Sequence, residues 1–215
     1  MSEGKRLQTK GIRQFQQHEF EKAILTFEEA VTAFKEESDE IAIAEMQVNI
    51  GLCHRSLENY EPAVKMMETG LATFREKADR HREAQALGNL ALAYAKNDNI
   101  EQANTLYREA AAIFREVGDD ENYGETILAL GEALFKAGDF MQAVALFEIG
   151  LDHVLKPNQR QRMAKQLLVV KNRLLGQKKA QEVGDGNDEP VTDRRRRRLL
   201  RRRDKEEENQ DQSSG

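Results

Sequence analysis

Side chains that could bind a metal or attack a substrate are few in this chain of 215 residues, and they are scattered. His18, His54, His81 and His153 stand singly, three of them near the ends of helical patterns, and no two have the spacing of metal ligands. The one cysteine, Cys53, adjoins His54, but neighbours along a helix point to different sides. It has no partner for an internal disulfide, and beside apolar residues such as Leu52 it reads as a small core residue. Gly51, Gly88, Gly118, Gly124, Gly131, Gly138 and Gly150 fall inside or at the ends of helical patterns rather than in a strand-to-helix loop, so no phosphate cradle is implied. These residue types make no catalytic constellation, no metal site and no cofactor site. The expectation is a protein that is not an enzyme.

Charge offers a different chemistry near the carboxyl end. Arg194, Arg195, Arg196, Arg197, Arg198, Arg201, Arg202 and Arg203 form the run RRRRRLLRRR. Each phosphate that such a run neutralises releases counterions, which makes nucleic acid or an anionic membrane the rival class of partner. In a nucleated cell, nuclear import is a further use. The run has no interleaved aromatic residues for base stacking, and Glu206, Glu207 and Glu208 follow it closely. Up to Leu151 the chain has 16 Lys and Arg against 27 Asp and Glu, from Asp152 to Gly184 it has 8 against 2, and beyond that 9 against 9. The arginines are therefore expected to pair with their own acidic flank or with the acidic body upstream, and so to be masked. From about Glu182 aromatic residues vanish. Such a composition cannot bury enough apolar surface to offset the entropy of ordering, so residues 181–215 are expected to form a disordered tail with at most a transient helix over 193–208.

The body that precedes this tail is a repeat. Shifting by forty residues lands on the same chemistry: Gly11, Gly51, Ala91, Gly131; Ala23, Ala63, Ala103, Ala143; Ala30, Gly70, Ala110, Gly150. A bulky column repeats as well, with Phe20, Tyr60, Ile100 and Phe140 at a turn, Phe27, Met67, Tyr107 and Phe147 in mid-helix, and Phe34, Phe74, Phe114 and Val154 later. Self-similarity at such a period marks an array whose units cannot bury their apolar faces alone and must stack. Four units are expected, about 1–38, 39–78, 79–118 and 119–157, each with two helices of 3.6-residue period joined by short links. The helices are expected over Lys5 to Gln17 or His18, Glu19 to Glu37, 40–57, 60–77, 80–97, 100–117, 121–137 and 140–155. Pro62 falls in a first turn, where a missing N–H costs little, and Gly118 and Gly138 read as helix stops. Beyond Pro157, Met163, Leu167, Val170 and Leu174, widened by Leu168 and Leu175, give a solitary helix within 158–180 that is expected to cap the fourth unit. No comparable cap precedes the first helix, whose polar residues, with Gly4 among them, are expected to serve as its own outer face.

The absence of any run of about 18 apolar residues, and of an apolar core in MSEGKRLQTK, predicts an intracellular, cytoplasmic protein.

The lattice of a small residue in the first helix, an aromatic near the turn and an Ala twelve residues on resembles the tetratricopeptide repeat (TPR) family over about residues 5–155. Units of forty residues, against about 34 for the usual unit, resemble the longer variant of LGN/Pins-type scaffolds. The family's frequent Trp and its Pro at the end of the second helix are absent. The resemblance implies an all-α, right-handed solenoid whose concave surface is lined by the first helix of each unit. Residues two before the small one would then face the groove: Thr9, Asn49, Asn89 and Ala129. An Asn amide offers a donor and an acceptor together and can hold a peptide backbone whatever its side chains. Lys5, Gln8, Ile12, Phe15, Glu45, Val48, Leu52, Arg55, Gln85, Leu92, Lys96, Leu128, Glu132, Phe135 and Lys136 would complete the lining. The two-carboxylate clamp of chaperone-binding relatives is matched at Asn49 alone, since Gln8, Ile12, Gln85 and Asn89 replace its other members. The function so implied is a scaffold that binds a segment of another protein, with no cofactor.

Overall fold

The computed structural model describes residues 1–154 and Leu168, all within one compact unit, Met1–Leu168. It contains the helices α1 (Glu3–Gln16), α2 (Phe20–Glu36), α3 (Glu40–Ser56), α4 (Tyr60–Glu76), α5 (Arg80–Lys96), α6 (Ile100–Glu116), α7 (Asp120–Lys136) and α8 (Phe140–His153). There is no strand among the described residues. The proposed capping helix, apart from Leu168, and the whole Arg-rich tail lie outside them. Helix ends fall within three residues of the sequence reading.

One three-residue link, repeated seven times, sets these ends. Its middle residue has positive φ in every case: His18, Ser38, Glu58, Ala78, Asp98, Gly118 and Gly138. The next residue donates its N–H to the carbonyl five residues back, as in Asp39 to Phe34 at 3.0 Å and Asp119 to Phe114 at 2.8 Å, closing the orphan carbonyls of the finished helix. That same residue starts the following helix. The side chains of Asp39, Asp79, Asn99, Asp119 and Asp139 each accept from the N–H three positions on. Burial alone would raise the carboxyls of Asp79 and Asp119, yet hydrogen bonds from Arg82 and Asn122, respectively, hold both below the usual carboxylate range. Their folded pKa is depressed, so this stabilisation is present above the unfolded value of about 3.9 and is lost as pH falls through the folded one.

The core is built from close helix crossings. Ala23, Ala63, Ala103 and Ala143 have no exposed surface at all. A Cβ on Gly11 would lie 2.5 Å from the Phe27 ring, and one on Gly51 2.7 Å from Met67 and 2.9 Å from the Ala63 carbonyl oxygen. The small column thus seats the bulky mid-helix column of the same unit. A further small column, Gly4, Ala44, Ala84 and Gly124, is also buried. Ala44 lets α4 approach so closely that a Cβ on Gly70 would stand 2.7 Å from its carbonyl oxygen. Gly4 departs from the reading of the first helix as polar: it lies under the Phe34 ring, and its N–H donates to Glu37 Oε1 at 3.2 Å.

Every helix packs on its sequence neighbours, and beyond these α3 touches α5 and α5 touches α7. The buried carboxylate of Glu83 (α5) accepts from Arg75 (α4) at 3.1 Å and Arg80 at 2.6 Å, which reach on to Glu109 and Glu116 of α6. Leu168 packs against the cluster of Leu128, Leu151 and Val154 at the end of the array, as Phe147 does.

Two stability predictions follow from these geometries. Left-handed backbone costs an L-residue about 1–2 kcal/mol, partly offset by the lower unfolded-state entropy of a non-glycine, so Ala78→Gly should stabilise the fold by about 0.5–1 kcal/mol and Gly118→Ala should destabilise it similarly. Urea midpoints that move the other way would contradict the link geometry. Ala143→Leu should overpack its crossing and cost about 1–3 kcal/mol; an unchanged urea midpoint would remove Ala143 from the lattice.

Candidate functional site

The face shared by α3, α5 and α7 carries two adjoining clefts. The first, about 200 Å³, is lined by Glu45, Val48, Asn49 and Leu52 of α3, by Arg82, Gln85, Ala86 and Asn89 of α5, and by Phe74 beneath. The second, about 430 Å³, runs between α5 and α7; Gln85, Gly88, Asn89 and Leu92 form one side, Asn122, Glu125, Thr126 and Ala129 the other, and Tyr107 and Phe114 contribute from α6. Gln85 and Asn89 belong to both. Residues four apart lie above one another on a helix face, which is why 45 and 49, 48 and 52, 85 and 89, and 88 and 92 enter as pairs.

Arg55, in the last turn of α3, spans to the next unit, where its Nη1 donates to the Asn89 carbonyl and to Asn89 Oδ1, both at 3.4 Å. Burial pushes its guanidinium below the ordinary value, with nearby Tyr107 acting in the opposite direction. Burial likewise pushes the Tyr107 hydroxyl up to about 12, against the opposing pull of Arg55. Among the described residues no ion pair involves Arg55. By contrast, Arg82 at the rim of the first cleft is fully engaged, donating to Glu45 Oε1 at 2.5 Å and to Asp79 Oδ2 at 2.6 Å. Gln8 donates to the other oxygen of Glu45 at 3.2 Å, so Glu45 ties α1 and α5 to α3.

The structure brings together Asn49, Leu52, Gln85, Asn89 and Leu92, with Arg55 bound to Asn89. Thr9, Lys96, Phe135 and Lys136 line neither cleft. Thr9 is exposed and its hydroxyl donates to the Lys5 carbonyl; Lys96 and Lys136 are exposed at helix ends. Phe135 stands edge-on to Phe140 at 5.0 Å across the α7–α8 link, as Phe15 stands to Phe20 at 5.4 Å across the first link. Arg194 to Arg203 lie outside the described residues. To the reading from sequence the clefts add Phe74, Arg82, Ala84, Ala86 and Gly88, and, towards α6 and α7, Tyr107, Phe114, Asn122, Glu125 and Thr126. One turn back from Ala129 reaches Glu125 and Thr126, whereas the aromatics Phe74, Tyr107 and Phe114 read from sequence as core residues alone.

Cys53 is buried, and burial raises its thiol to about 12, which leaves it protonated and unreactive at neutral pH. Among the described residues, no group of three or more His, Cys, Asp or Glu side chains could hold a metal ion, and no helix is long and apolar enough to cross a membrane.

Two family models, both described as tetratricopeptide repeat, match residues 82–153 and 44–73. No curated protein sequence matches the chain. Among solved structures, BtubC (BKLC) from P. vanneervenii is similar with a TM-score of 0.67 at 16% identity, over 80% of this chain and 72% of that one. A putative kinesin light chain of nearly identical TPR-like repeats from Podosopora anserina is similar with a TM-score of 0.63 at 18% identity, over 83% and 90%. The Rap conjugation gene regulator of the plasmid pLS20, in complex with the Phr* peptide, is similar with a TM-score of 0.60 at 16% identity, over 78% of this chain and 52% of that one. Together with the forty-residue lattice, these likenesses identify an all-helical solenoid, of which residues 44–73 and 82–153 are tetratricopeptide repeats.

Proposed function

We propose that this protein is a non-enzymatic scaffold that holds an extended segment of another protein along the face of α3, α5 and α7. The observation that carries the reading is the placement of Asn49 and Asn89, one repeat apart, on adjoining clefts that share Gln85 and Asn89. Each amide can accept from and donate to a passing peptide unit, so a strand of any side-chain sequence can be gripped at two points. Val48, Leu52, Phe74 and Leu92 give the clefts apolar walls between these polar contacts. A structural neighbour, the Rap regulator, is itself in complex with a peptide.

Arg55 adds selectivity. A half-buried guanidinium, whose described contacts are two long hydrogen bonds to Asn89, gains from a carboxylate brought by the partner. The acidic array repels a long acidic run, so the favoured segment carries a single Asp or Glu at this point.

Random peptides displayed on phage and selected on the full chain test the reading. Replacing Asn49 and Asn89 together by Ala should weaken the selected peptides by about tenfold or more, since each lost hydrogen bond is worth about 1 kcal/mol, while helicity stays unchanged. Selected peptides that bind the double variant undiminished would move the ligand elsewhere. Arg55→Met keeps the side chain's bulk and removes a half-buried charge. It should leave stability equal or raise it by about 1 kcal/mol, yet weaken peptides that carry an acidic residue. A clear fall in the urea midpoint would assign Arg55 to the fold instead.

A further inference from the structure

Repeat position 88 departs from the rest of its column. The equivalent residues are Gln8, Val48 and Leu128, and both Val48 and Leu128 are buried, at 9% and 6% exposure. Gly88 lies in the middle of α5, where a glycine weakens a helix. The glycines at close crossings, such as Gly11 and Gly51, have no room for a Cβ. A Cβ on Gly88 would meet nothing within 4 Å. Packing therefore does not require this glycine; a larger residue would fit and would strengthen the helix.

What Gly88 does create is space. It lines the larger cleft, whose volume of about 430 Å³ lies in the range of ligand pockets. Its apolar walls are Leu92, Tyr107, Phe114 and Ala129; Asn122, Glu125 and Thr126 line its α7 side, and the amides of Gln85 and Asn89 its α5 side. Arg55 stands at that rim, bound to Asn89 and in no ion pair among the described residues.

We propose that Gly88 forms the floor of a specificity socket that receives one large apolar side chain, of the Leu, Met or Phe kind, from the captured segment, next to an acidic residue of that segment paired with Arg55. The assignment rests on the groove reading above. The apolar walls remove such a side chain from water, while the polar residues beside them stay open to solvent or to the segment's backbone. The complementary charge at Arg55 fixes which residue of the segment enters. Leu128 occupies in its own unit the place that the ligand's side chain takes at Gly88.

The test selects displayed random peptides on the full wild-type chain and measures the winners against Gly88→Leu, Gly88→Ala and the Asn49→Ala/Asn89→Ala double variant. The expected winners share a large apolar residue at a fixed distance from an Asp or Glu. They bind Gly88→Leu at least about tenfold more weakly, and Gly88→Ala within about threefold, because filling the socket costs far more than adding one methyl to open space. Both variants should melt no lower than wild type. Ala129→Leu, which fills the socket from α7, provides a second blocking variant should Gly88→Leu fold poorly. Winners that need the two asparagines but bind Gly88→Leu and Ala129→Leu as well as wild type overturn the socket and leave the groove reading standing. Winners indifferent to all the variants overturn both. Self-association of the wild type that Gly88→Leu abolishes would give the socket to a second copy of the chain and overturn its assignment to a partner segment.

Discussion

Everything in this array depends on how closely its helices can approach one another. At Gly51 the α4 backbone comes so near that a single added carbon would lie 2.9 Å from the Ala63 carbonyl, and at Gly70 the same holds at 2.7 Å against Ala44. Such contact leaves no room for a choice of register. Each bulky residue of the Phe27, Met67, Phe147 column has one small residue to sit on, and dispersion over that contact, small per atom pair, is large when summed over the interface. Since interiors are packed as densely as crystals, the lattice transmits this constraint from unit to unit.

The links complete the constraint. A helix ended by a left-handed residue and a six-residue hydrogen-bonded ring must turn in one direction, and because the next residue already caps the following helix, the chain has no free residue with which to vary the angle. Repeating that turn every twenty residues alternates the helices between two layers. The odd-numbered ones are brought into mutual contact, α3 with α5 and α5 with α7. The clefts open along that layer because neighbouring odd helices touch there without interlocking as sequential pairs do. The cleft surface is thus a by-product of the turn geometry, and its chemistry is set by whichever residues the sequence places on it.

Much of this was legible in the residues. The forty-residue period, the pairing of small and bulky columns and the helix limits follow from residue type, because close packing restricts type strongly. The left-handed backbone at the middle of every link was not legible. Only Gly118 and Gly138 reveal their left-handed backbone; His18, Ser38, Glu58, Ala78 and Asp98 adopt it because the ring and cap on either side impose it. Gly4 was misplaced for a related reason, as its neighbours Lys5 and Arg6 made the helix look polar all round while its own face lies under Phe34. In the clefts, residues with distinctive side chains such as Asn49, Asn89 and Gln85 could be found by spacing. Gly88 could not, since a search for chemistry looks for groups and this residue matters by having none.

Arg55 and Gly88 share a property that separates binding from folding in this molecule. The neighbouring parts of the array show the opposite: Glu83 is held between two arginines, Arg82 between two carboxylates, and the glycines of the crossings are demanded by the atoms above them. Arg55 is half-buried with no ion pair among the described residues, and Gly88 weakens a helix beside open space. Each is a local loss that folding alone gives no reason to keep. A sequence that agrees with its fold at every other level departs from it most tellingly where something outside the fold sets the requirement. Asn89 joins the two departures, since it receives Arg55 on one side and lines the space above Gly88 on the other. Two independent losses meeting at one asparagine have a common physical cause if a single ligand offsets both, supplying a carboxylate to the cation and a side chain to the void.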